Sequence, residues 1–334
     1  MKKLDNKARI LVMQTAYIGD AILATSLLEK LHAYYPQAQL DLLVRKGNES
    51  ICKDHPFLHR VIVFDKSRKY INIWKLIAEL RREKYDLVIN IQRYFTTGLI
   101  TVLSGGKETV GFNKNPLSFL FTHRIKHEVD IHKSGKTIHE IDRNQKLIAC
   151  YTDEQSVKPK LYPKPTTLAL KTPYICIAPF SVWFTKRYPE KYWVELIKLL
   201  APKYTIYLMA GLSDAAGCER IIRMVESPNV ESLAGKLNLL ESAGVMKGAV
   251  MNFANDSGPL HLTSAVNAPV AALFCSTAKA YGFTPLSDHA IVFETKEYLA
   301  CKPCGLHGRN ACPMGHFKCS EISPLRIVET LKLL

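Results

Sequence analysis

Three short segments of this 334-residue chain carry side chains able to hold a phosphate or remove a proton. The most informative is "NFANDSGPLHLTSAVNAPVAALF", residues 252–274. An apolar run enters Asn255-Asp256-Ser257-Gly258, and Pro259 suits the first position of a helix. Backbone N–H groups at Ser257 and Gly258 would then point outward at the carboxyl end of a strand. That is a ready anion site, and Gly258 lets a phosphate approach closely. His261, in the first turn, could reach the same anion. The same spacing also suits an ordinary helix cap by Asp256 or Ser257, with His261 as a surface residue.

In "FSVWFTKRYPEKYW", residues 180–193, Lys186 and Arg187 stand before Pro189 and a helical pattern. A point charge and a planar fork side by side suit a pyrophosphate, although a solvated surface pair has the same sequence. Asp214, in "MAGLSDAAG", could accept hydrogen bonds from ribose hydroxyls; as a single role, capping the helix it precedes is favoured. Asp20, in "QTAYIGDAIL", stands where an apolar run turns into another apolar pattern, and could cap that helix or act as a base.

Four of the nine cysteines crowd into "CKPCGLHGRNACPMGHFKC", residues 301–319. Cys301, Cys304, Cys312 and Cys319, with His307 and His316 interleaved, could hold a structural zinc. Their spacing matches no standard zinc module, and reduced thiols in a packed loop are preferred over both zinc and disulfides. A catalytic metal fits less well, because four protein ligands leave no open position. The isolated cysteines read mostly as small core residues.

These side chains need elements to position them. Residues 10–13, 40–44, 61–64 and 87–91 read as buried strands, and 21–35 and 73–83 as helices. Leu23, Leu27, Leu28 and Leu31 form one face of the first helix. Residues 157–173 hold four prolines and read as a connector. Alternation then restarts, with strands at 174–179, 205–210, 249–254 and 269–274 and helices at 190–200, 215–225 and 260–266. A short amphipathic helix closes the chain from Pro324. The layout predicts two α/β halves built on parallel sheets, with ligands at the carboxyl ends of the strands in the cleft between them.

Several chemistries are disfavoured. The corner at Asp20 has one glycine instead of a G-x-G-x-x-G series, and no G-x-x-x-x-G-K-[ST] occurs, so a nicotinamide or flavin enzyme and a P-loop hydrolase do not fit. No apolar stretch is long enough to span a membrane, and the N-terminus lacks a secretory pattern, which predicts a cytoplasmic protein. The net charge of +15 favours an anionic partner, and the basic residues are dispersed, which weakens a nucleic-acid reading.

Taken in order, these motifs resemble glycosyltransferase family 9, the heptosyltransferase-type enzymes of bacteria. "IGDAILATSLLEKL" resembles the family's N-terminal loop and helix, and "YDLVINIQRYFTTGLITVLSGGKETVGF" its later strand, helix and Gly-Phe turn. "TKRYPEKYWVEL" resembles its K-R-W-P segment with Tyr188 in place of tryptophan. "NDSGPLHLTSAVNAPVAALFCST" is close to its signature, and the cysteine-bearing tail is similar to that of many members.

The resemblance implies a GT-B type α/β fold, two Rossmann-like domains facing each other across a cleft. Expected boundaries are 1–160 for an acceptor-binding domain, 161–172 for the linker, 173–320 for a nucleotide-sugar-binding domain and 321–334 for a C-terminal helix. It implies inverting transfer of heptose from ADP-L-glycero-D-manno-heptose to the inner core of lipopolysaccharide, with no metal required. Asp20 matches the general base, and Lys186, Asp256, Ser257, Gly258 and His261 match donor-binding positions. Asp214 matches a ribose-contacting acid only loosely. The implied partners are the nucleotide sugar and a lipid-anchored core acceptor, met peripherally at the cytoplasmic face of the inner membrane. Basic stretches such as "HRIKHEVDIHKSGKTIHEIDR", residues 123–143, could engage that acceptor's acidic sugars and phosphates, or be a solvated surface. The nearest alternative is a family 9 enzyme with another nucleotide sugar or acceptor. A remote one is a basic nucleic-acid-binding protein with a zinc-stabilised tail.

Overall fold

Short apolar runs that alternate with amphipathic ones must stack helices on a sheet, and this chain does so twice. The computed structural model describes residues 2–128, 137–305 and 307–334. It divides into two compact units, Met1–Tyr162 and Pro163–Leu334. No helix among the described residues is long and apolar enough to cross a membrane.

The first unit runs β1 (Arg9–Gln14), α1 (Ile18–Tyr34), β2 (Gln39–Arg45), β3 (Leu58–Phe64), α2 (Lys69–Glu83), β4 (Leu87–Asn90), α3 (Phe95–Leu103), β5 (Glu108–Phe112), β6 (His123–Ile125) and α4 (Glu140–Gln145). Among the described residues its strands form a six-stranded sheet in the order β3-β2-β1-β4-β5-β6, with every pairing parallel. β1 and β4 lie in the middle and are covered on both faces, which is why they are continuous apolar runs and not alternating ones. α2 buries Ile73, Leu76, Ile77 and Leu80, a stripe at helical spacing, on Leu11, Met13, Leu43 and Phe64.

α1 departs from the one-faced helix that its leucines predict, being buried nearly all round. The chain returns over its outer side. The Lys160 amide donates to Thr25 Oγ1 at 3.0 Å, the Tyr35 hydroxyl donates to the Tyr151 carbonyl at 2.7 Å, and Lys30 Nζ lies 2.6 Å from Asp153 Oδ1. The helix also starts earlier than its apolar pattern, at Ile18, and so takes in Asp20. Gly111-Phe112, expected as a turn, is the end of strand β5. A Cβ on Gly111 would come within 2.5 Å of the Phe121 ring, so the glycine answers to packing and not to a turn. Of the basic stretch at 123–143, residues 129–136 lie outside the described residues. Arg143 is internal, with its guanidinium 2.7 Å from Glu140.

The second unit runs β7 (Tyr174–Ala178), α5 (Glu190–Leu200), β8 (Thr205–Leu208), α6 (Ala215–Val225), β9 (Val230–Ser232), α7 (Leu239–Lys247), β10 (Met251–Asn255), α8 (Gly258–Ala265), β11 (Val270–Leu273), β12 (Ala290–Phe293) and α9 (Pro324–Leu331). Among the described residues its six strands pair in the order β12-β11-β10-β7-β8-β9, all parallel. Counted from its first strand, this repeats the order of the first unit. α5, α6 and α9 pack on one side through Trp193, Leu196, Ile197, Ile221, Ile327 and Val328. In each unit the strand order reverses between the first and fourth strands, β1/β4 and β7/β10. The crevice at the carboxyl ends of that pair is where open α/β sheets bind ligands.

Candidate functional site

In the second unit, both strands of the switch point deliver a charged side chain to one place. β7 is followed by a short 3-10 turn, Phe184–Lys186, and β10 by Asp256. Lys186 Nζ lies 2.8 Å from Asp256 Oδ2, with 15% and 8% of the two side chains exposed. The same Asp256 oxygen accepts from the Thr277 hydroxyl at 2.7 Å. Thr277 is buried and follows β11, so three successive strand ends meet here.

The turn that carries Lys186 is fixed on both sides. Asn255 is fully buried; its Oδ1 accepts from the Tyr188 amide at 2.8 Å, and its Nδ2 donates to the Pro179 carbonyl at 2.9 Å. Arg187 Nε donates to the Ser181 carbonyl at 2.6 Å, so part of this cation is spent within the loop. Tyr188, which stands where the family pattern has tryptophan, sits edge-on to Trp193 at 5.1 Å, and its hydroxyl donates to the Ile322 carbonyl. Burial pushes that phenol well above its usual range.

The cysteine-bearing segment braces the turn from outside. The Thr185 amide donates to the Arg309 carbonyl at 3.0 Å, and the Arg309 amide donates to Thr185 Oγ1 at 2.8 Å. The Ser276 amide donates to the Thr185 carbonyl at 3.2 Å, and the Cys304 amide to the Ser276 carbonyl at 3.0 Å. All nine cysteines are free thiols. Among the described residues, no group of three or more His, Cys, Asp or Glu side chains is arranged to hold a metal. Cys301 Sγ lies 3.9 Å from His316 Nε2, and the Cys304 thiol donates to the Cys301 carbonyl at 3.3 Å. Cys150, one of the isolated cysteines, is exposed and not a core residue.

α8 begins beside the ion pair. Ser257 occupies its N-cap in extended conformation, and the helix starts at Gly258, with Pro259 second. Its N-cap side chain makes no cap: the Ser257 hydroxyl donates back to the Asn255 carbonyl at 3.3 Å, and Asp256 is engaged with Lys186 and Thr277. His261 is buried, edge-on to Phe283 at 6.3 Å between centroids. The geometry therefore departs from an ordinary cap with a surface histidine. An uncapped helix start next to a lysine is a place for an anion.

Asp214 stands one strand over, after β8, at the N-cap position of α6. Its carboxylate makes no capping bond, contrary to the role favoured for it from sequence. Among the described residues no hydrogen bond or ion pair joins it to Lys186 or Asp256.

Asp20 belongs to the other unit. It lies in the first turn of α1, where the helix dipole favours a carboxylate, and the N-cap Tyr17 makes no side-chain cap. The loop before it is built from the switch point of that sheet. Thr15 directs both its amide and its hydroxyl to Gln92 Oε1, at 3.2 and 2.6 Å, and Gln92 follows β4. Lys66 Nζ donates to the Thr15 carbonyl at 2.7 Å and Asn48 Nδ2 to the Ala16 carbonyl at 3.1 Å.

Sequence reasoning thus singled out Lys186, Asp256, Ser257 and Gly258, which the structure brings together, and missed Asn255, Thr277, Thr185 and Gln92, which hold them and the Asp20 loop. One signal was available. Every loop after a parallel strand emerges at the same edge, so the polar residue after each strand is a candidate.

Similarity to known proteins agrees with this architecture. A lipopolysaccharide heptosyltransferase 1 of Pseudomonas aeruginosa is 27% identical over 323 residues, covering 89% of this chain and 86% of its own. Among solved structures, a glycosyltransferase family 9 protein of Veillonella parvula superposes with a TM-score of 0.83 at 21% identity, covering 99% of this chain and 98% of its own. The Escherichia coli ADP-heptose lipopolysaccharide heptosyltransferase II gives 0.78 at 21% identity, covering 97% of each chain. The GT-B class expected from the motifs is the class observed: two Rossmann-like parallel-sheet units. The family profile of glycosyltransferase family 9 (heptosyltransferase) matches residues 73–309, and with more than half of its length so matched, this chain belongs to that family.

Proposed function

We propose that this protein transfers a heptose, with inversion, from ADP-L-glycero-D-manno-heptose to the inner core of lipopolysaccharide. The observation that carries the reading is the Lys186–Asp256 pair in front of the uncapped start of α8, in a chain of this family. The ADP-heptose donor is supported by the name of the E. coli structure with the same fold.

In this reading Asp20 removes the proton of an acceptor hydroxyl as its oxygen attacks the anomeric carbon. The bond from that carbon to the diphosphate oxygen breaks on the opposite face, and ADP leaves with the electron pair. The charge that develops on the leaving oxygen is met by Lys186 and by the amides of Ser257 and Gly258. Asp256 and Thr277 orient Lys186, His261 supports the first turn of α8, and Asp214 takes ribose hydroxyls. No covalent intermediate is needed, since the acceptor hydroxyl plays the part that water plays in inverting hydrolases. Nothing in this scheme calls on a metal. The acceptor is lipid-anchored and presented at the cytoplasmic face of the inner membrane, and no nucleic acid is involved.

The test combines purified protein, ADP-heptose and core acceptors with calorimetric titration of nucleotide sugars. Heptose transfer that is lost in Asp20→Ala while donor binding persists supports the proposal. A preference for a UDP or GDP sugar would overturn the donor assignment.

A further inference from the structure

The solvent face of α2 carries an amphipathic pattern of its own, on the side opposite its core stripe. Tyr70, Ile71 and Trp74 are 79%, 55% and 61% exposed, and helical spacing puts them on one arc of the first turns. The same arc continues toward the helix end with Lys75, Arg81 and Arg82, all exposed and none in an ion pair among the described residues. Its one acid, Glu79, is already neutralised by Arg60, 3.1 Å away. α3 packs on the same core as α2 and leaves Tyr94 and Phe95 exposed at its start. Single exposed apolar residues need no explanation; three large ones on one arc, two of them aromatic and backed by cations, do.

We infer that this face of α2 docks on the surface of an anionic lipid bilayer. Tyr and Trp favour the boundary between headgroups and acyl chains, and the lysine and arginines meet anionic headgroups. A second copy of the chain is a poorer occupant. Three side chains on two turns bury far less than a stable dimer needs. The net charge of +15 acts in the same direction as the local cations. α2 follows β3 and α1 follows β1, so both helices start at the carboxyl edge of one parallel sheet. Docking there holds the edge that carries Asp20 toward a lipid-anchored hydroxyl. The inference deepens the proposed function by naming where the membrane is met. Vesicle binding requires neither donor nor acceptor, so its failure is distinguishable from a failure of heptosyl transfer.

The test is co-sedimentation with vesicles of phosphatidylcholine and phosphatidylglycerol in equal parts, and with phosphatidylcholine alone. Expected are binding to the mixed vesicles only, and weakening by about tenfold or more in Tyr70→Ser/Ile71→Ser/Trp74→Ser and in Arg81→Glu/Arg82→Glu. Trp74 emission should shift to the blue on binding, a change absent from Trp74→Phe, since the other two tryptophans, Trp183 and Trp193, belong to the other unit. Turnover on a water-soluble core oligosaccharide should be unchanged in both multiple variants. Equal vesicle binding by either variant, binding that ignores lipid charge, a dimer dissolved by the serine variant, or loss of turnover on the soluble acceptor would each overturn the inference.

Discussion

Lys186 Nζ is held 2.8 Å from Asp256 Oδ2, so the cation proposed to meet a diphosphate has a carboxylate partner within the protein. An ammonium has three donors, and a diphosphate offers more charge than one carboxylate. Lys186→Met should weaken ADP binding about 10- to 100-fold, the worth of a charge-assisted bond. It should also cost about 1–3 kcal/mol of stability, because Asp256 is left buried without its counter-charge, with only the Thr277 hydroxyl on it. The double variant Lys186→Met/Asp256→Asn should regain the lost stability and not the affinity. Calorimetry and thermal unfolding read the two effects separately; recovery of ADP binding in the double variant would refute the role of Lys186.

Asp20→Asn keeps the shape of the side chain in the first turn of α1 and removes its basicity. Turnover should fall by about 10²- to 10⁴-fold, the usual range for a positioned base. ADP affinity should not change. Steady-state kinetics beside a nucleotide titration would check this.

Gly308 tests whether the cysteine-bearing segment positions Lys186. Its φ is +78°, and an added Cβ would come within 3.0 Å of Trp183 Cβ and 3.1 Å of Lys186 Cγ. Gly308→Ala should cost about 1–2 kcal/mol for the left-handed backbone. In addition, it should lower ADP affinity several-fold. Gly315 has φ +73° with open space around it, so Gly315→Ala should carry a similar backbone cost and leave ADP binding intact.

Two histidines of the first unit give stability a pH dependence. Burial pushes both His55 and His127 from the usual 6.5 down to about 4, with the charge of His32 adding to the first and those of Arg93, Arg143 and Lys114 to the second. A group whose folded pKa is depressed stabilises above its unfolded value. The contribution is therefore whole above 6.5 and is lost as pH falls toward about 4. The thermal midpoint should decline across that window. Neither ring nitrogen of His55 has a hydrogen-bond partner among the described residues, so His55→Phe should shallow the decline without breaking a bond.

The central strands were legible because burial on both faces writes them as unbroken apolar runs: 10–13 became β1, and 87–91 became β4 less its last residue. Of the edge strands only β3 was, from residues 61–64. β6 and β9 are three residues each with a charged side chain in the middle, and β12 is an apolar run of only four residues with Ile291 exposed. Of the site, the residues that carry charge could be seen in the motifs. The residues that hold them could not, because Thr185 meets Arg309 across more than a hundred residues and no local spacing encodes that contact. The cysteine segment reads from sequence as reduced thiols in a packed loop, but nothing in its spacing announces the backbone bonds around Thr185 and Ser276 that the structure shows.

That bracing also sets an order of events during synthesis. The first unit has all its strands once its own sequence has left the ribosome, and can fold while the rest is being made. The second cannot finish at β12. Thr185 and Ser276 wait for Cys304 and Arg309, Tyr188 waits for Ile322, and α5 waits for the apolar side of α9. The second unit should therefore be the last part of the nascent chain to become protease-resistant, and ribosome-stalled chains ending before residue 300 should hold a folded first unit beside an unclosed second.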